Sequence, residues 1–450
     1  MSEAAARGAC PEADAMAERS KRPYYALPEN IHTVALGFGD LNGILRGKRV
    51  QATHWRHACE RGIAIIGAMF AMDMTCGIWE TKFAGFSNGY PDMHMFPLYP
   101  PVACPWEEGV AVCLACTQTP DHRPVPVDPR NALVRQVERA RALGFEVHVG
   151  SELEFYLLDP STGLPKQSEI QVYSLNRSAE LEPVLGPIRN HLLAIGVPIE
   201  QSNPEYAPGQ VEVNFRYAQA LQSADHVILF RNFVKDIARL HGYLATFMAK
   251  PFIDQSGSGF HTHYSLWRNG RNAFASDGRL NETGLSFLAG LQHHMADITL
   301  AGSSTPNAFR RRQPGMFCPV TASWGYDNRT VALRVIEGED GAVRIEKRDA
   351  AADCNPYYLV AAELAAGLDG IERRLRPRGE PTRGDADAEA DGVRLPTTLG
   401  QALELARGSR LLQEVIGEGF EIFFHQAERE RDFVEHQVTG VERERYLRNF

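Results

Sequence analysis

A chain of 450 residues with 44% hydrophobic and 23% charged side chains has an ordinary globular composition and material for two or three domains. Its formal charge of −9 argues against a nucleic-acid surface and favours cationic or metal-bound ligands. No apolar run reaches the roughly 18 residues that span a bilayer, and eight cysteines in so long a chain form no disulfide framework, so a cytoplasmic setting is expected.

Residues 1–22 lack an apolar signal core and read as a flexible arm. Two strands follow, IHTVALGF and ILRGKRVQA, joined by the turn GDLNG. A short helix is expected over His54–Arg61, then a loop-rich passage, then the strand-like run GVAVCLACTQ. Cys113 and Cys116 form a lone CxxC there, and buried thiols fit better than zinc because no second pair lies nearby. Residues 23–120 therefore read as a small N-terminal α+β domain. PDHRPVPVDPR is the linker, ending in a helix start with Asp128 as cap and Pro129 in the first turn. Residues 121–450 form the larger domain.

In that domain the segment GSELEFYLL (150–158) reads as a strand. Leu153, Phe155 and Leu157 share one face, and Glu152, Glu154 and Tyr156 share the other. A half-buried strand with an acidic wet side is an equally good reading of this segment alone. Four more segments repeat the pattern. In EYAPGQVEVNF, Glu205 and Glu212 flank a Pro-Gly turn, with Glu212 and Asn214 opposite Val211, Val213 and Phe215. In GSGFHTHYSL, His261, His263 and Ser265 share a face. Arg329 and Arg334 bracket the apolar strand of RTVALRV. In VRIEKRD, Arg344, Glu346 and Arg348 alternate with Val343, Ile345 and Lys347. Singly, each has a plain explanation as a core histidine pair or a surface ion-pair ladder. If the polar faces converge, the carboxylates need divalent cations and the arginines need anions. Oxygen-rich sets with an imidazole suit Mg²⁺ or Mn²⁺, and arginines beside such metals suit phosphoryl transfer. No P-loop or kinase-type glycine loop is present.

Two helical stretches, 223–248 and 355–375, should pack across a sheet, and residues 376–392 read as an exposed polar loop. Strands and helices alternate irregularly, which favours an α+β fold with an antiparallel sheet.

The ordered set GSELEF, EYAPGQVEV, GSGFHTHYSL, NAFRRRQPG, DNRTVALR, RIEKR and NPYYLVAAELAAGLDG resembles the glutamine synthetase superfamily over nearly the whole chain. The resemblance implies a small N-terminal β-grasp-like domain and a larger catalytic domain whose curved antiparallel sheet is flanked by helices. It implies two Mg²⁺ or Mn²⁺ ions per site, one on Glu154, Glu205 and Glu212 and the other on Glu152, His261 and Glu346. Glu200, His263, Ser265 and Arg334 match positions near ATP. Arg329, Arg334 and Arg344 match residues that stabilise the transferred phosphoryl group. Gly257, Arg311 and Arg348 match contacts to glutamate. The implied reaction phosphorylates the γ-carboxylate of glutamate and lets an amine displace the phosphate. The implied assembly is a homododecamer of two stacked hexameric rings, with no nucleic acid or membrane partner.

Ammonia-using members of the family carry a glutamate three residues past the Pro-Gly of the arginine-rich motif. Here that count lands on Phe317. A second acid, an N-terminal aspartate, falls on Ala71 or, with a shift, on Asp73. Phenylalanine cannot hold ammonium well, whereas an organic amine gains apolar and cation–π contact from its ring. The expected enzyme is thus a glutamate–amine ligase acting on a polyamine, monoamine or ethanolamine. True glutamine synthetase and a non-catalytic relative are the alternatives, with a metal-dependent amidohydrolase last. The glycine loop reads Ser256-Gly257 where Asn-Gly is usual, and no tyrosine stands in a context that suggests adenylylation control.

Overall fold

Which side chains alternate and which do not decides how the strands are used. The computed structural model describes residues 23–169, 172–313, 315–388 and 392–449, so the expected N-terminal arm lies outside the described residues. The run Val110–Gln118 is buried along its whole length, as a strand covered on both faces must be. It is the third strand of a six-stranded sheet ordered Leu45–Gln51, Thr33–Gly39, Val110–Gln118, Asp92–Pro97 and Ile63–Ile66, with Val102–Ala103 also on Val110–Gln118. Thr33–Gly39 runs antiparallel to its hairpin mate and parallel to Val110–Gln118. Cys113 and Cys116 are both buried in this strand. Three positions apart, they point to opposite faces, and Cys113 donates to the Tyr99 carbonyl at 3.1 Å.

The second sheet has nine strands. Its main path is Trp324–Tyr326, Leu333–Ile336, Arg344–Lys347, Phe260–Arg268, Glu146–Leu158, Gln210–Gln219 and Ile199–Pro204. All its pairings are antiparallel save one: Trp324–Tyr326 runs parallel to Leu333–Ile336, because residues 327–332 loop back to the same sheet end instead of turning as a hairpin. Apart from this edge pair the sheet is antiparallel, as expected. Arg334 lies within the strand Leu333–Ile336, and Arg329 in the loop before it.

Leu153, Phe155, Leu157, Val211, Val213 and Phe215 form the sheet's apolar face and pack with Phe230, Val234 and Leu185 in one cluster. The helix Pro129–Ala142 starts as expected: Asp128 accepts from the Arg130 amide at 2.9 Å and Pro129 fills the first turn. The helix Ala220–Leu240 is shorter than expected. Gly242, at φ 75°, provides the left-handed stop that ends many helices, and Leu244–Thr246 joins the sheet beside Tyr156–Leu158. Residues 376–388 are mostly exposed, as expected, but not throughout. Thr382 and Ala386 are buried, the Thr382 amide donates to the Trp324 carbonyl at 2.8 Å, and Asn328 Nδ2 donates to the Thr382 and Gly384 carbonyls. Backbone groups of the sheet edge satisfy this polar segment where solvent was expected to.

Arg231, 5% exposed, fixes the N-terminal hairpin to the catalytic sheet. It donates to the carbonyls of Asn42 at 3.0 Å, Gly43 at 3.3 Å and Ala352 at 3.1 Å, and also to that of Cys354. Removing the guanidinium strands buried acceptors, at about 1–3 kcal/mol each. Arg231→Met should lower unfolding free energy by at least about 2 kcal/mol in urea titrations. An unchanged midpoint would mean that the carbonyls find other partners.

Candidate active site

Register turns separate strand faces into one surface. Glu154 lies opposite Glu212, and Glu152 opposite both Asn214 and His261. His263 lies opposite Glu346, which in turn lies opposite Arg334. Because side chains alternate along a strand, these pairings put the polar residues of five strands on one side and the apolar cluster on the other. Glu205 arrives from the turn before Gln210–Gln219. Its amide donates to the Gln210 carbonyl at 2.9 Å, and its Oε1 accepts from Asn203 Nδ2 at 3.0 Å.

Two groups have ligand atoms all within 4.8 Å of one another: Glu152, Glu212 and His261, and Glu152, His263 and Glu346. Glu152 Oε1 is 3.0 Å from His263 Nε2, and its Oε2 is 3.5 Å from His261 Nδ1. Glu346 Oε1 is 3.6 Å from His261 Nδ1, and its Oε2 accepts from Arg334 at 3.1 Å. Arg348 also donates to Glu346.

This grouping differs from the expected ligand sets in two respects. His263, expected near the nucleotide, is within the carboxylate cluster. Glu154, expected as a ligand, accepts from the Gly259 amide through Oε2 at 2.7 Å. Only glycine fits at 259, since a Cβ there would lie 2.9 Å from Arg311 Nη2 and 3.0 Å from His261 Nε2.

The charge balance is uneven. Burial alone would raise Glu346, but His263, Arg348 and His261 outweigh it and bring it to about 2. Burial likewise opposes ionisation of Glu152, and His263 and His261 hold it well below the usual range. Glu205 and Glu212 are less well matched: Asn203 and Arg329 only partly offset burial at Glu205, and Asn214 only partly at Glu212. Burial, then Glu154, pushes Glu205 up to about 7. Burial, then Glu152, Glu154 and Glu205, pushes Glu212 up to about 9. Carboxylates crowded into a low-dielectric face and short of cations are what a divalent-metal site looks like without its ion, so the donor set fits Mg²⁺ or Mn²⁺.

The other expected residues are spread around this cluster. Arg311 is buried and donates to the Ala350 carbonyl at 2.8 Å. Gly257 accepts from Gln210 Nε2 at 3.0 Å, and Tyr156 binds the Ser256 carbonyl at 2.5 Å. Arg344 donates to the Ala342 carbonyl at 2.9 Å and reaches His263 Nδ1 at 3.4 Å. Ser265 accepts from Trp267 Nε1 at 2.9 Å, while Glu200 is exposed on the edge strand. Arg329 sits within electrostatic reach of Glu205. Asp73 is not brought to the cluster of its own chain. It accepts from Thr75 and Gly77 and lies 3.6 Å from Arg429.

Three features escaped sequence reasoning. Beyond His263 and Ser265, His148 groups with Tyr217 and Trp267, its ring centroid 5.5 and 5.3 Å from theirs, while those two rings stack at 6.4 Å. Tyr206 stacks on Phe317 at 6.1 Å, and each ring is 51% exposed. A cavity of about 140 Å³ adjoins Phe317 and is lined also by Cys318, Thr330, Asp385 and Asp387. The alternation of His148 with the strand's apolar residues was a visible signal. The Tyr206–Phe317 contact had none.

Residues 126–446 match the family described as "Glutamine synthetase, catalytic domain", and the chain belongs to that family. Glutamate–isopropylamine ligase of a Pseudomonas species is 35% identical over 396 residues, covering 84% of this chain and 86% of that protein. Gamma-glutamylethanolamide synthetase GlnA4 of Streptomyces coelicolor is 35% identical over 409 residues, covering 86% of each. Glutamine synthetase of Thermus thermophilus is 33% identical, covering 94% of this chain and 97% of that one. A solved structure of a GmaS/ADP complex superposes with a TM-score of 0.84 at 30% identity, over 93% of this chain and 97% of the other. No helix among the described residues is long and apolar enough to cross a membrane.

The raised carboxyls carry a signed consequence. Between the ordinary value of 4.5 and the shifted values of about 7 and 9, the metal-free native site holds protons that an unfolded chain would release. Metal-free stability should therefore fall as pH rises through this window. A divalent ion binds the carboxylate form, so its affinity should rise with pH and its binding should release about one to two protons near neutrality. Calorimetry in buffers of different ionisation enthalpy measures that number. Glu212→Gln should reduce it by about one. Binding with no proton release would mean that the ion sits elsewhere.

Proposed function

We propose that this protein joins the γ-carboxylate of glutamate to an organic primary amine at the expense of ATP. Family membership supports the ligase chemistry, and two of the relatives named above are amine ligases. The single observation that carries the amine choice is Phe317. It occupies the place of an expected acid, is half-exposed, and stacks on the side chain next to Glu205. Its backbone sits at φ 51°, a conformation unfavourable for a bulky residue. Such strain at a binding edge marks a position kept for function.

In this reading the γ-carboxylate attacks the γ-phosphorus of ATP, and ADP leaves. The amine nitrogen then attacks the acyl carbon, phosphate leaves, and the nitrogen gives up a proton. Glu205, Glu212 and Glu154 would hold one divalent ion, and Glu152, Glu346 and His261 the other, with His263 beside them; bound there, the ions would neutralise phosphate charge. Arg334 reaches Glu346, Arg344 reaches His263, and Arg329 lies toward Glu205; in this reading the three would meet the transferred phosphoryl oxygens. Arg348 Nε, buried without a protein partner, and Arg311 would take the carboxylates of glutamate. The half-exposed rings around His148 offer flat faces for the purine base. The GmaS/ADP neighbour supports a nucleotide site on this fold.

We further assign the finer points on the same footing. Asp385 and Asp387, on the cavity beside Phe317, would attract an ammonium group. Asp73, absent from its own chain's cluster, would complete the pocket of a neighbouring subunit in a ring assembly of the family's dodecameric type. A cytoplasmic setting fits a chain with no disulfide among its described cysteines.

Two tests follow from this chemistry. Methionine sulfoximine, once phosphorylated, should mimic the tetrahedral adduct, so its inhibition should require ATP. Inhibition that ignores ATP would count against an acyl phosphate. Replacing a buried anionic partner of ammonium with phenylalanine costs about 3–5 kcal/mol, and an organic amine recovers about 0.8 kcal/mol per buried methylene. Across a panel of amines, some organic amine should exceed ammonia by at least about a hundredfold in kcat/KM. Phe317→Glu should narrow that gap, mainly by weakening the organic amine. Efficient glutamine formation from ammonia by the wild type would restore true glutamine synthetase.

A further inference from the structure

Behind the site face lies a second polar cluster that touches no expected substrate position. Thr262 and Tyr264 alternate with His261 and His263, and Lys347 alternates with Glu346 and Arg348, so all three point away from the site. They converge on Glu363, in the otherwise apolar middle of the helix Pro356–Glu372. Glu363 Oε2 accepts from Thr262 Oγ1 and from Tyr264 Oη, each at 2.7 Å. Its Oε1 lies 3.0 Å from Lys347 Nζ. Lys347 also donates to Asp349, and Asp349 Oδ2 accepts from Arg312 Nη2 at 3.3 Å. Thr262, Tyr264, Lys347, Asp349 and Glu363 are at most 2% exposed.

A buried carboxylate in a helix of alanines and leucines is costly unless its partners are fixed around it. Here the partners come from the two strands that carry His261, His263 and Glu346. Thr262 pairs with Lys347 in the sheet, and His263 with Glu346. One carboxylate thus grips both strands one residue away from three candidate ligands. Apolar packing would tolerate a small slide of one strand past the other; two hydrogen bonds and an ion pair to one carboxylate resist it.

We propose that Glu363 is a positioning residue: by tying Thr262, Tyr264 and Lys347 together it sets the spacing of His261, His263 and Glu346 for a divalent ion. Through Lys347, Asp349 and Arg312 the same network reaches the neighbour of Arg311. The inference rests on the reading of the front face as a metal site. It does not depend on which amine is used.

The test is Mn²⁺ binding to the full-length protein without ATP or amine, read from the electron paramagnetic resonance of free Mn²⁺, together with metal-free melting. Thr262→Val/Tyr264→Phe cuts both tethers to one strand and leaves the Lys347–Glu363 pair in place. Loss of outer hydrogen-bond partners typically weakens a metal site about 10- to 100-fold. The double variant should lose affinity in that range for at least one ion. Glu363→Gln, which keeps shape and removes charge, should shift Mn²⁺ affinity in the same direction. If the double variant does not fold, Tyr264→Phe alone is read in the same way. A folded variant with a lower melting temperature but wild-type Mn²⁺ affinity would make the network merely structural and overturn the proposal. Because no amine is present, that outcome would leave the choice of amine untouched.

Discussion

Burying several carboxylates on one face of a sheet is the constraint around which this molecule is arranged. Glu152, Glu212 and Glu346 are drawn together by strand register and Glu205 by the adjoining turn, and like charges at close range repel strongly in a low-dielectric setting. A protein that had only to be stable would not gather them. The arrangement makes sense when a cation is supplied from outside, and the apolar cluster on the opposite face provides the binding energy that holds the strands in place meanwhile.

The cluster is divided by its own neighbours. Glu152 and Glu346 are matched by two histidines and by Arg334 and Arg348, so that half can stay ionised with no metal. Glu205 and Glu212 have carboxylates for company and take up protons instead. The two halves therefore call for cations of different urgency. An ion in the anion-rich half relieves repulsion outright.

Much of this was legible in the sequence, because period-two alternation is a local property. The faces of 150–158, 210–215 and 260–266 follow from side-chain type alone, as does the helix start at Asp128 and Pro129. What alternation cannot supply is register. Whether His261 or His263 meets Glu152 depends on how two strands slide against each other, and the structure brings both within 3.5 Å. The bulge between Val149 and Ser151 shifts one strand against its partner, and no residue type announces it. Helix 220–240 was overextended because LATF is apolar in either period and only Gly242 marks the break. The polar stretch 376–392 misled for a related reason. Composition reports how polar a segment is, while Asn328 and Trp324, far back in the chain, decide what satisfies it.

The amine side shows the opposite balance between composition and geometry. At the metals, identity is narrow, since only oxygen and imidazole ligands fit and the register must be kept. At Phe317 the ring is half-exposed, its one aromatic partner is the equally exposed Tyr206, and the adjoining cavity mixes a phenyl ring with Asp385 and Asp387. A surface of that kind rewards carbon skeleton and charge together, and it places few directional demands on either. In the proposed reading the ligand set can stay fixed while the amine changes, because Phe317, Asp385 and Asp387 lie outside the sheet. They sit on a turn and on the 384–388 segment, where a substitution alters contact without disturbing the register on which the metals depend.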